Sequence, residues 1–196
     1  MTDFGAGSRV FRSNVRKVSA IARNAGVRKK DQQLLFRLAR YFSAEKILEL
    51  GTSLGLGSIG LALSHTDASI TTVEGCPETA GVAQRYFQNF QLHNIRSETK
   101  TFEQYLQHDA NENYDLIYMD GNHSKEGTLA YFEALLPKTH KGSLMIFDDI
   151  YWNQEMTEAW NIIRRQLAVT VSIDAYNWGL VFFRKEQPKQ HFRIRL

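Results

Sequence analysis

"KILELGTSLGLGSIGLAL", Lys46 to Leu63, decides how the rest of the chain is read. "KILEL" is a short apolar run of strand type, and the glycine-rich segment after it turns into a helix. The alternation continues outward. "SITTVE" (Ser69 to Glu74) predicts a second strand, and the segment after Pro77, with Val82, Ala83, Tyr86, Phe87 and Phe90, a second helix. A weaker strand over Ile95–Thr99 and a short helix over Thr101–His108 come next, then a "YDLIYMD" strand, a "KEGTLAYFEALL" helix, an "SLMIFD" strand and a "QEMTEAWNIIRRQL" helix. In that last helix Met156, Ala159, Trp160, Ile163 and Leu167 share one face. "AVTVSIDAY" and "WGLVFFRK", joined around Tyr176 and Asn177, predict a terminal hairpin. Upstream, helical spacing covers Val10–Asn24 and Asp31–Phe42, with Asp31 placed as a cap. Strand alternating with helix implies a parallel sheet covered on both faces, whose ligands gather at the carboxyl ends of the strands. Glu49 to Gly51, Glu74, Asp120, Asp148 and Asp149 then share one rim.

The whole chain bounds this reading. Its 196 residues, 43% apolar and 23% charged, suffice for one good core, so a single domain over 1–196 is expected, with 1–44 as an N-terminal helical extension. There is no run of membrane-span length and no signal-peptide core, which predicts a soluble, cytoplasmic protein. One cysteine, Cys76, excludes an internal disulfide and zinc sites built on cysteine pairs. The net charge is +3, yet Arg9, Arg12, Arg16, Lys17, Arg23, Arg28, Lys29, Lys30, Arg37 and Arg40 crowd the first 40 residues. That asymmetry reads either as the solvated face of amphipathic helices or as a footprint for nucleic acid or an anionic substrate.

The glycine loop offers two registers. "GLGSIG", Gly55 to Gly60, matches the dinucleotide pattern G-x-G-x-x-G, with Glu74 close to the spacing of a ribose-binding acid, and would make the chain an NAD(P) oxidoreductase. That fingerprint needs its first glycine at the strand end, and the glycine there is Gly51. The motif is therefore "ELGTSLG". With its acid two residues before the first glycine, it resembles the first motif of class I S-adenosylmethionine-dependent methyltransferases, in the catechol and caffeoyl-CoA O-methyltransferase branch. The resemblance implies an α/β, Rossmann-like, doubly wound and mostly parallel seven-stranded sheet with an antiparallel C-terminal hairpin. It further implies that Glu49, Gly51, Ser53 and Gly55 surround the methionine part of S-adenosylmethionine, that Glu74 takes its ribose hydroxyls, and that Thr52, Gly75 and Asp120 belong to the same cofactor site.

In metal-dependent members of that branch, an Asp after the fourth strand and an acidic pair after the fifth hold a divalent cation. Carried over, Asp120, Asp148 and Asp149 are the implied ligands of Mg²⁺ or another divalent cation. The chain departs from the caffeoyl-type pattern: Gly121, Asn122 and His123 follow Asp120 without the D-x-x-K lysine, and Asp149 stands where that branch has Asn. This points away from catechol and caffeoyl-CoA as acceptors. His123, with Asp120, is the candidate general base, since imidazole titrates near neutrality; Lys125 is a weaker one. Tyr151, Trp152 and Trp178 are candidates to wall the acceptor pocket or to pack the core. The expected activity is O-methylation of a small hydroxylated acceptor, with a homodimer possible. The rival acceptor is a tRNA wobble uridine derivative, met by the basic N-terminus.

Overall fold

The computed structural model describes residues 17–195 apart from 25, 66 and 109–111. Residues 10–16 of the first expected helix lie outside these. Helices α1 (Val18–Asn24) and α2 (Lys29–Tyr41) precede strand β1 (Lys46–Leu50). The chain then runs α3 (Leu56–Ala62), β2 (Ser69–Glu74), α4 (Pro77–Asn89), β3 (Ile95–Thr99), α5 (Phe102–His108), β4 (Leu116–Met119), α6 (Lys125–Leu135), β5 (Leu144–Phe147) and α7 (Gln154–Ile163). It closes with β6 (Val171–Asp174), β7 (Gly179–Phe182) and β8 (Gln190–Arg193).

All eight strands form one sheet, ordered β3-β2-β1-β4-β5-β7-β6-β8. From β3 to β5 the neighbours are parallel, β7 is antiparallel to β5 and β6, and β8 lies parallel to β6. This is the doubly wound α/β fold with the terminal hairpin that the sequence implies, extended by an eighth strand. "QHFR" gives no warning of β8, because all four residues are exposed and no apolar alternation marks them. Strand order reverses between β1 and β4, and the crevice at their carboxyl ends is where such a sheet receives a ligand.

Two helix boundaries differ from the sequence reading. Asp31 does not cap α2: the helix starts two residues earlier, Arg28 takes the N-cap position, and Asp31 pairs from the first turn with Arg28 Nε at 2.6 Å. At the far end α7 stops at Ile163, where Arg165 N bonds Ile162 O and Gln166 N bonds Ile163 O, and the tightened turn leaves Leu167 98% exposed. Lys29, Lys30, Arg37 and Arg40 are exposed while Leu35 and Ala39 pack inward, the solvated-face pattern.

The period-two alternation of the strands decides which side chains meet at the rim. One face holds Leu48, Leu50, Ile117, Met119, Met145 and Phe147 against Phe132 and Trp160. The other holds Ile47, Leu116, Tyr118, Leu144 and Ile146 against Leu35 and Leu61. Each large apolar side chain fully buried there contributes about 1.5–3 kcal/mol. Glu49 falls between Ile47 and the end of β1, so it points to the face that α3 covers, among Ser58, Thr72 and Tyr118. The same alternation, carried one step past the strand ends, brings Asp120 and Asp148 to the hydroxyl of Tyr118.

Candidate active site

The seam of the crevice is Gly51. Its φ of +110° is a conformation that L side chains rarely adopt, and a Cβ there would stand 1.8 Å from the carbonyl oxygen of Asp120. Gly51 N bonds Val73 O at 2.9 Å, and Asp120 N bonds Leu50 O at 2.8 Å, so β1, β2 and β4 fix this turn together. Gly55, with φ +79°, forms the N-cap of α3 against the ring of Phe87. The other glycines of the dinucleotide-like run are packing residues inside α3: a Cβ at Gly57 would run into Glu49 Oε1, and one at Gly60 into Gln32 of α2. The turn at the strand end therefore belongs to Gly51, as the "ELGTSLG" register requires.

Around this turn, backbone amides hold carboxylates. Glu74 Oε2 accepts from Ser53 N and Oε1 from Cys76 N, both at 2.9 Å, which ties the β1–α3 loop to the turn through Gly75. Ser53 itself has a left-handed φ of 48°. Thr52 is 2% exposed and turns inward, its hydroxyl 2.6 Å from that of Thr72. Of the residues expected around the cofactor, it offers the crevice its backbone rather than its side chain. Glu49 is buried; Oε2 accepts from Ser58 and Thr72, while Oε1 has no hydrogen-bond partner among the described residues. Burial raises its pKa to about 7, against the hydrogen bonds from Ser58 and Thr72 that lower it.

Side chains do the holding on the β4–β5 side. Tyr118 donates to Asp148 Oδ2 at 2.8 Å and stands 3.3 Å from Asp120 Oδ2. Asp148 Oδ1 accepts from Asp149 N at 2.8 Å, and Asp149 has a left-handed φ of 52°. Burial, then the charges of Asp149 and Glu49, raise Asp120 to about 7. Burial, then the charges of Asp120 and Asp149, push Asp148 well above the usual carboxylate range. His123 Nε2 lies 3.9 Å from Asp120 Oδ1, with its ring 5.8 Å from that of Trp152. Asn122, left-handed at φ 59°, donates to the Tyr131 hydroxyl at 2.7 Å, and Asn153 donates to His123 O at 3.2 Å, so both sides of the His123 loop are pinned.

Asp120 and Asp148 thus meet at the rim, but the expected metal-ligand set does not assemble. Among the described residues no three His, Cys, Asp or Glu side chains are grouped so that they could hold a metal ion. The Tyr118 hydroxyl instead reaches both Asp120 and Asp148, and Asp149 N bonds the other oxygen of Asp148. Lys125 is committed to Glu158 at 2.6 Å, a bridge between α6 and α7. Trp178 is buried against Tyr118 and belongs to the core, whereas Tyr151 is 37% exposed at the rim.

Three residues that sequence reasoning passed over complete this side. Tyr118 carries a signal in retrospect, as the one hydroxyl in "LIYM" on the face that leads to Asp120. Arg28 is hidden in a run of basic residues; with the Asn177 amide oxygen turned toward it, Asn177 accepts from Nη2 and, at 3.3 Å, from Nη1. Asp174, 2% exposed, accepts from the Tyr151 hydroxyl, from Tyr176 N at 3.0 Å and from Arg193 Nε at 3.3 Å.

Residues 48–150, a little over half of the chain, match the methyltransferase domain family, and the chain belongs to that family. Its fold is that of class I S-adenosylmethionine-dependent methyltransferases. Among curated proteins it is similar to mouse catechol O-methyltransferase domain-containing protein 1, at 25% identity over 132 residues, 64% of this chain and 50% of the relative. The chain spans about half the length of that relative. Among solved structures it is similar to the O-methyltransferase TomG of Streptomyces achromogenes, in complex with SAM, at a TM-score of 0.74 and 20% identity, covering 87% of this chain and 92% of that one. It is also similar to the Bacillus cereus O-methyltransferase in complex with SAH, at a TM-score of 0.69 and 20% identity, covering 84% and 88%.

Proposed function

We propose that the crevice between β1 and β4 binds S-adenosylmethionine and that the chain transfers its methyl group to an oxygen of a small hydroxylated acceptor. The observation that carries this reading is the paired support at the strand ends: a left-handed Gly51 that leaves only backbone at the seam, beside a Glu74 carboxylate pinned by two backbone N–H groups. A carboxylate held in this way at the strand end is the kind of group that accepts from two neighbouring ribose hydroxyls. The partnerless Glu49 Oε1 is a buried acceptor of the kind an ammonium group satisfies. TomG and the Bacillus cereus enzyme, similar to this chain in fold, were solved with SAM and SAH.

When bound, S-adenosylmethionine supplies a methyl group on a sulfonium, open to in-line displacement by an oxygen nucleophile. The residues around it have two tasks. Asp120, with a carboxyl poised near neutrality, and His123, 3.9 Å away, form an acid–base pair able to take the proton of an acceptor hydroxyl. Trp152 and Asn153 hold the His123 loop in place for this, and Tyr151 and Tyr176, with rings 5.8 Å apart, offer an aromatic wall beside the carboxylates. No step is assigned to a metal ion, since among the described residues no three His, Cys, Asp or Glu side chains are grouped to hold one.

Calorimetric titration with S-adenosylmethionine, its demethylated product and NAD(P)H tests this reading. Binding of the first two at micromolar affinity, and no heat with the third, is expected. Preference for the dinucleotide would return the loop to the oxidoreductase register and overturn the proposal.

A further inference from the structure

Strand β8 is held to the sheet by polar contacts. All four of its residues are exposed, so apolar burial does not account for its place beside β6. Backbone bonds fix its two ends, Gln190 N to Thr170 O at 2.9 Å and Ile194 N to Asp174 O at 2.8 Å. Two side chains that share one face of β8, His191 and Arg193, then meet side chains of β6: His191 Nδ1 lies 2.9 Å from Ser172 Oγ, and Arg193 Nε donates to Asp174 Oδ2 at 3.3 Å. Both of those β6 residues are buried. What β8 brings to the sheet is therefore a polar partner for each of two buried polar groups.

Of these two groups, Asp174 is the one at the rim. Strands β5 and β6 are both antiparallel to β7, so they run the same way, and Asp174 at the carboxyl end of β6 stands on the same rim as Asp148. The β6–β7 turn touches the loop after β5, where Ile150 N donates to Asn177 O at 3.3 Å. One carboxylate ties three elements together here: Oδ2 accepts from the Tyr151 hydroxyl of the β5–α7 loop and from Arg193 Nε of β8, and Oδ1 accepts from Tyr176 N of the turn at 3.0 Å. Tyr151 and Tyr176 are the two rings of the aromatic wall. Among the described residues Arg193 is the cation that pairs with Asp174, and a carboxylate buried this deeply keeps its charge only with hydrogen bonds and an opposite charge beside it.

We propose that Arg193 is a positioning residue for the acceptor: from β8 it neutralises Asp174, and through that carboxylate it sets how Tyr151 and Tyr176 present their rings to the acceptor. The inference rests on the reading of this crevice as a methyltransferase site. Without Arg193 the Asp174 carboxylate loses its counter-charge and turns toward water, and the two tyrosines lose their common anchor. The eighth strand is thus a working part of the acceptor side, although its own residues act there only through Asp174.

The test uses the full chain with fluorinated tyrosine incorporated, the fluorine signals of Tyr151 and Tyr176 being assigned by Tyr151→Phe and Tyr176→Phe. In Arg193→Ala those two signals should shift and the Tyr176 amide should exchange at least about tenfold faster, while the signals of the buried Tyr105 and Tyr114 stay in place. Arg193→Lys, which keeps the charge, should restore the wild-type positions. Phenol, a bare ring with one hydroxyl, is the acceptor probe. Titrated with the demethylated cofactor product present, it should move the Tyr151 and Tyr176 signals of the wild type and of Arg193→Lys, and should need at least about fivefold more phenol to do so in Arg193→Ala. Signals at 151 and 176 that ignore Arg193, tyrosine signals that all move alike, failure of the lysine to restore them, or a wild-type wall that phenol does not reach overturns the proposal. Calorimetry on the same samples separates the two readings. Equal affinity of the wild type and Arg193→Ala for the cofactor product is expected; loss of it in Arg193→Ala alone overturns the proposal, and its absence in the wild type sinks the methyltransferase reading whatever the fluorine signals do.

Discussion

At the β1–β2 half of the rim, backbone does the holding: Gly51 and Ser53 are bent into left-handed conformations, and the amides of Ser53 and Cys76 grip Glu74. At the β4–β5 half, side chains from separate elements hold one another: Tyr118 between Asp120 and Asp148, Arg28 against Asn177, Tyr151 and Arg193 on Asp174. Backbone geometry demands particular residues at fixed spacing, and so constrains sequence tightly. Side-chain networks can be rebuilt from other residues. The first half suits a ligand that does not vary, and the second suits an acceptor that does.

Gly51 joins the halves, so its replacement should have the largest effect. Gly51→Val places a Cβ into Asp120 O and forces φ +110° on a β-branched residue. A loss of more than about 4 kcal/mol of stability, together with loss of cofactor binding, is expected. Near-native stability by denaturant titration would show that the seam can open without cost, and the two halves would then be independent.

Next in size is a pH effect rooted in the first half. Glu49 has its pKa raised to about 7 by burial, so the fold favours the protonated carboxyl. Its contribution to stability is fully present below the unfolded value near 4.5, falls as pH rises through about 7, and amounts to about 3 kcal/mol at most. Asp120, raised to about 7 as well, acts in the same direction. Denaturant titrations from about pH 5 to about pH 8 should show stability declining, and Glu49→Gln should flatten much of that slope. An unchanged slope in the variant would mean that Glu49 is ionised in the fold, with a partner for Oε1.

A smaller and more local loss is expected from Glu74→Ala. It removes an acceptor pinned by two amides but half-exposed, so cofactor affinity should fall by about 2 kcal/mol, roughly thirtyfold, while the melting temperature changes little. If calorimetry instead finds affinity unchanged while the protein melts earlier, Glu74 is a loop clasp and the first half loses its claim to the ribose.

The contrast also explains what could be read from the sequence. "KILELGTSLG" showed strand, turn and loop register because a parallel strand buried on both faces is mostly apolar, and only glycine tolerates the approach at position 51. Glu49, Glu74, Asp120 and Asp148 could be placed on one rim, since topology fixes where parallel strands end. That Asp120, Asp148 and Asp149 would not group around a metal could not be read, because it turns on a tyrosine hydroxyl and a one-residue change of backbone hand at Asp149. Arg28 was equally hidden: among many basic residues, only its bonds to Asp31 and Asn177 set it apart. Strand β8 carries no apolar face to announce it.

The smallest effects come from left-handed residues outside glycine, which fall into two sets. Ser43 and Gln91 end α2 and α4, where Ser43 N bonds Arg40 O, Ala44 N bonds Ala39 O, Gln91 N bonds Gln88 O and Leu92 N bonds Phe87 O, the double bonding of a helix C-terminus that favours glycine. Ser53, Asn122, Asp149 and Tyr176 sit instead in the loops of the rim. Gln91→Gly should therefore stabilise the protein by about 1 kcal/mol, by relieving strain at a position where the side chain is exposed. Tyr176→Gly relieves the same kind of strain at φ 71° but gives up the ring contact with Tyr151, and its net effect should lie near zero. Thermal unfolding of the two variants side by side makes the comparison. An equal gain at both positions would mean that Tyr176 holds its conformation without help from the acceptor half, and that the aromatic wall there is incidental packing.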